Sequence, residues 1–177
     1  HSIAGWDDLR GRVEPADRLF GRIVQARPIP QTHVLIGRAY RDAGEYDRAA
    51  SSLKAAIDLD PAVRRAHYYL GMVLLADART GPDRLERAIA EFRQELKVAP
   101  DDPLASDQLG GALLEAERPA EALPAFETAA RGETRFLYLF HLGRCQLALE
   151  RPRDAVDSLR RALALAGEQG AGESDLE

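Results

Sequence analysis

Residues 33–40 read His33-Val34-Leu35-Ile36-Gly37-Arg38-Ala39-Tyr40, and residues 49–61 read Ala49-Ala50-Ser51-Ser52-Leu53-Lys54-Ala55-Ala56-Ile57-Asp58-Leu59-Asp60-Pro61. In the first stretch His33, Ile36, Gly37 and Tyr40 fall at i, i+3, i+4 and i+7, one stripe of a helix; Ala49, Leu53, Ala56 and Ile57 make a second. Between them Asp42-Ala43-Gly44-Glu45 offers a glycine to close one helix before the next opens. The pattern predicts a helix pair.

The same pattern recurs along the chain. A Leu-Gly or Ile-Gly pair, or its equivalent, places glycines at 37, 71, 110 and 143, spaced 34, 39 and 33 residues apart. Downstream of each come a small residue, a large apolar one and a third at matching offsets: Ala88, Phe92 and Glu95; Ala122, Phe126 and Ala129; Ala155, Leu159 and Ala162. Glu117-Arg118-Pro119 and Glu150-Arg151-Pro152 occupy the inter-helix turns of the last two units, with Pro suited to a first helical turn. Asp60-Pro61 and Asp102-Pro103 read as N-cap plus first helical residue for the second and third units. About five extra residues near Asp77–Asp83 lengthen the second unit's first helix or turn its exit into a loop.

This period and residue set resemble the tetratricopeptide repeat, whose 34-residue unit is a helix-turn-helix. The resemblance covers about residues 30–167, and it implies an all-α, right-handed superhelical solenoid of four units at 30–63, 64–102, 103–135 and 136–167. Residues 1–29, where Ala16, Phe20, Ile23 and Pro28 match second-helix offsets, read as a partial repeat or N-terminal cap. Residues 168–177, Gly-rich and acidic, read as a flexible tail. The third and fourth units end at Thr134 and Gly167 where the family carries Pro. The start His1-Ser2-Ile3 reads as that of an excised or processed piece, and Leu176-Glu177 as a cloning scar ahead of an affinity tag.

Composition narrows the function classes. The 177 residues are 45% hydrophobic and 30% charged with only 6% aromatic, the mix of a helical core built from Leu and Ala. A net charge of -5 argues against a nucleic-acid binder, which needs a basic surface. No apolar run is long enough to insert in a membrane. Lys54 and Lys97 are the only lysines among 24 basic residues, a usage that fits a GC-rich, bacterial genome. One cysteine, Cys145, permits no internal disulfide and leaves cytoplasm and bacterial periplasm both open.

Chemistry is sparse. There is no HExxH, CxxC, GxSxG, Walker-type or dinucleotide-binding glycine motif, and the expectation is a non-enzyme without cofactor or metal. His33 and His67 share a repeat offset, but the matching positions Ser106 and Leu139 supply no further ligand. Cys145 lies one turn from His141, yet with no oxyanion loop nearby it reads as a buried thiol rather than a nucleophile.

In the family this chain resembles, first helices present their second, fifth, ninth and twelfth unit positions to a bound peptide or helix. Those positions are Gln31, Val34, Arg38 and Arg41; Arg65, Tyr68, Met72 and Leu75; Leu104, Asp107, Gly111 and Leu114; Leu137, Phe140, Arg144 and Leu147. The family's chaperone-tail clamp of Lys and Asn is absent: Val34, Arg38, Tyr69, Leu104 and Gln108 stand at its places. The face is apolar with arginine at its ends, which suits a protein or peptide partner with acidic flanks, and Tyr68, Phe140, Arg38 and Arg144 are the expected anchors. The expected function is a non-catalytic interaction scaffold; the alternatives are a docking domain of a larger enzyme or secretion assembly, and a self-associating module forming a homodimer.

Overall fold

The computed structural model describes residues 17–81, 83–132 and 135–174, and every regular element within them is a helix. Residues 17–26 form α1, followed by α2 (Pro30–Asp42), α3 (Tyr46–Leu59), α4 (Ala66–Ala76), a 3-10 turn (Ala78–Thr80), α5 (Arg84–Val98), α6 (Pro103–Glu115), α7 (Pro119–Gly132), α8 (Phe136–Ala148) and α9 (Pro152–Ser174). The chain divides into two compact units, His1–Val73 and Leu74–Glu177. No helix among the described residues is long and apolar enough to cross a membrane.

In the first unit α2 and α3 pack as the predicted pair. Ile36, Tyr40, Ala49 and Leu53 form a core with Leu70 and Val73, and Phe20 and Val24 of α1 pack against it. The seal of α1 on this core is partly polar. The Tyr40 hydroxyl donates to the Asp17 carboxylate, the Phe20 and Tyr40 rings meet edge-on at 5.1 Å, and Arg48 reaches Asp17 at 3.2 Å. Burial pushes the Tyr40 phenol up to about 12, the Asp17 carboxylate acting in the same direction. Trp6 and Ala16 lie outside the described residues.

In the second unit α6 pairs with α7 and α8 with α9, while α6 also packs on α5 and α8 on α7. Phe92 and Phe126 are fully buried. Asp102 caps α6 as its sequence predicts, its carboxylate accepting from the amides of Leu104 and Ala105, with Pro103 in the first turn. Pro119 and Pro152 open α7 and α9. Gly44, in the first unit's inter-helix turn, has a φ of +76°, and Glu117 and Glu150 adopt +58° and +56° at the matching turn positions.

One expectation is corrected. Asp60-Pro61 does not open a helix: Asp60 ends α3, its carboxylate accepts from the Ala62 amide at 2.9 Å, and Val63 N–H bonds back to Asp60 C=O. This local turn delays α4 until Ala66, after Arg65 has passed through a φ of +74°. Of the two outcomes open for the insertion in the second repeat, a longer first helix or a loop at its exit, the structure has the second: Asp77 accepts from the Arg79 amide and nucleates a 3-10 turn. At the C-terminal end α9 runs to Ser174 and so enters the segment read as a tail from residue 168, of which residues 175–177 lie outside the described residues. Its late glycines weaken a helix by about 1 kcal/mol each, but no proline stops it and Glu168, Gln169 and Ala171 favour its propagation.

Candidate functional site

In the first unit Arg38 is exposed, with Asp42 at 3.7 Å. Arg41 is half-buried, bonded to Asp42 through Nε at 3.0 Å, and its guanidinium lies 4.8 Å from the centre of the Tyr69 ring. Arg65 stands over the Tyr68 ring at 5.3 Å, and the two tyrosines meet edge-on at 5.1 Å. Tyr68 itself, expected on an open face, is only 8% exposed, and Val34 is buried as well. Burial makes Tyr68 part of a wall rather than a free anchor. Met72 is half-buried.

The second unit carries an actual cleft. Asp107, Gln108, Gly111, Leu114 and Glu115 of α6 line one side, His141 and Arg144 of α8 the other, with Phe126 between, enclosing about 420 Å³. That volume lies within the range of natural ligand pockets. Gly111 opens it, because a Cβ there would meet nothing within 4 Å. Asp107 is buried, and the ring of His141 donates through Nδ1 to its carboxylate at 2.7 Å. The same ring is 5.9 Å from both Phe126 and Phe140, and the Arg144 guanidinium stands 5.9 Å from the centre of Phe140. Leu137, Phe140 and Leu147 are 44%, 42% and 51% exposed, so α8 presents an apolar stripe with one cation on it. Of the other expected residue here, Leu75, the side chain is half-buried and its carbonyl accepts from Arg84 at 3.1 Å.

The structure therefore brings Asp107, Leu114 and Arg144 to one cleft beside Phe140. The sequence reading missed His141 as the partner of Asp107. The signal was present: the two are 34 residues apart, one repeat period.

Nucleophilic chemistry finds no support in this geometry. The Cys145 thiol is fully buried and donates to the Pro119 carbonyl at 3.4 Å, while His141 is turned to Asp107. Burial pushes the Cys145 thiol up from its ordinary value, and nearby Glu127 adds to the effect. Among the described residues no group of three or more His, Cys, Asp or Glu is placed to hold a metal ion.

The model of the tetratricopeptide repeat family matches residues 34–103, 83–136 and 108–170. No curated protein matches the chain. Among solved structures, a crystal structure of MamA is similar over 97% of this chain and 98% of its own, at 20% identity and a TM-score of 0.77. MamA from Desulfovibrio magneticus RS-1, from residue 41 on, matches over 90% and 89% at 23% identity and 0.73. TTC0263, a thermophilic repeat protein of Thermus thermophilus, matches over 89% and 84% at 21% identity and 0.68. At these identities the likeness is one of fold.

Proposed function

The chain belongs to the tetratricopeptide repeat family, and from that premise we propose that it is a non-catalytic protein-interaction scaffold whose working surface is the cleft between α6 and α8. The occupant is a segment of a partner protein that sets apolar side chains on Leu137, Phe140 and Leu147 and an acidic one on Arg144. The observation that carries this reading is the exposed stripe on α8: three large apolar side chains stand open beside an arginine that has no acidic partner among the described residues. Aromatic and arginine anchors of this kind dominate binding energy at interfaces, and the charge-assisted bond to a carboxylate adds orientation. The bond from His141 to Asp107 supports the reading by holding the cleft wall in place.

A capture experiment from lysate of the source organism tests it. The parent chain is compared with a Phe140→Ala, Arg144→Ala double variant whose helicity is verified by circular dichroism. A partner retained by the parent and lost by the variant is the expected result; equal retention by both would move recognition off this cleft.

A further inference from the structure

Helix α9 repeats α5 in register. Ile89 and Val156, Leu96 and Leu163, Arg93 and Arg160, and Arg84 and Arg151 are each separated by the same 67 residues. On α5 this face is covered: Ile89 is 1% exposed, and Leu96 lines a groove with Leu109 and Leu113 of α6. On α7, which packs on α8, the matching residues Leu123 and Ala130 are half-buried. On α9 they are bare, Val156 at 46% and Leu163 at 75% exposed.

The helix that covers α5 is distinctive in charge. Residues 101–117, which contain α6, hold five carboxylates and no Lys or Arg, and Glu115 pairs with Arg84 of α5 at 2.9 Å. The α9 end has the complementary sign. Between residues 135 and 167 six arginines stand against three carboxylates, in a chain whose net charge is -5. Arg153 and Arg161 make no ion pair among the described residues, and Arg160 lies 3.9 Å from Asp157, with both side chains over three-quarters exposed.

We propose that the open face of α9 centred on Val156 and Leu163 is a second docking site, distinct from the α6–α8 cleft, for an acidic amphipathic helix of another protein seated there as α6 is seated on α5. Its aliphatic stripe covers Val156 and Leu163, and its carboxylates meet Arg160 and Arg153; on α5 the counterpart of Arg160, Arg93, is met by Glu121 of α7 rather than by α6. An acidic helix is favoured over a neutral one because Arg153 and Arg161 beside this apolar surface have no ion pair among the described residues, and Arg160 has only an exposed contact with Asp157 at 3.9 Å.

The test uses the full chain and a synthetic peptide of residues 101–117, held helical by a hydrocarbon staple and labelled with fluorescein, followed by fluorescence anisotropy. Saturable binding is expected, weakened at least tenfold by Leu163→Glu and by Arg160→Glu, and weakened when the peptide's carboxylates are replaced by amides. Leu163 is exposed enough that its substitution leaves the fold intact, which circular dichroism verifies. Absence of saturable binding, or an affinity that Leu163→Glu leaves unchanged, would overturn the proposal. Sedimentation showing that the parent dimerises through this face, with Leu163→Glu monomeric, would overturn it in favour of a second copy of the chain.

Discussion

Gly110 and Gly111 are neighbours on α6 and serve different parts of the molecule. A Cβ on Gly110 would sit 2.7 Å from the Phe126 ring, whereas one on Gly111 would project into open space. The first glycine lets α6 and α7 approach within their pair, and Gly37 against Leu53 and Gly143 against Leu159 repeat that device. The second glycine widens the cleft between α6 and α8. A rotation of about 100° around one helix thus separates what holds the fold together from what is left for a partner.

Substitutions on the two sides of this divide should behave differently. The largest effect is expected from Phe126→Ala, which removes a ring 1% exposed from the α6–α7 joint. It should cost about 3–5 kcal/mol, read as a lower midpoint of urea unfolding. Next comes the glycine pair itself. Gly110→Ala should destabilise by about 1–3 kcal/mol, because the buried ring beside it has no room to yield. Gly111→Ala should instead gain up to about 1 kcal/mol from helix propensity while it narrows the cleft. Equal effects at both positions would break the comparison.

A third test concerns the joint that is sealed by a polar contact. The Tyr40 phenol titrates near 12 in the folded chain and near 10 when unfolded, so the folded state holds the extra proton between those values. Its stabilisation is therefore complete below pH 10 and is lost as pH rises from 10 to 12. Urea midpoints across that range should fall for the parent and fall less for Tyr40→Phe. The smallest effect is expected at Arg144→Ala, where stability should stay within about 0.5 kcal/mol of the parent because the side chain is exposed and makes no ion pair among the described residues. A larger loss there would mean that Arg144 belongs to the fold as well as to the cleft.

The repeat was legible because its demands are steric and recur: a glycine where helices touch, a large residue one helix later, a proline at a first turn. Leu53, Phe126 and Leu159 sit where that logic places them. The turns after Asp60 and Asp77 were harder to read, because side-chain bonds to nearby amides competed with helix initiation, and an Asp-Pro step carries either outcome. The site was legible only in part. Position along a first helix predicted the exposure of Phe140 and Arg144, but not the burial of Tyr68, which helical periodicity alone does not encode. The bond between Asp107 and His141 joins different repeats and emerges only when those repeats are stacked.

The most direct test of the central claim is hydroxyl-radical footprinting of the full chain, free and in complex with its captured partner. The account predicts protection of Leu137, Phe140 and Leu147 on α8, with Leu19 on α1 modified equally in both states. Unchanged modification of those three α8 residues, with protection confined to second-helix surfaces, would contradict it.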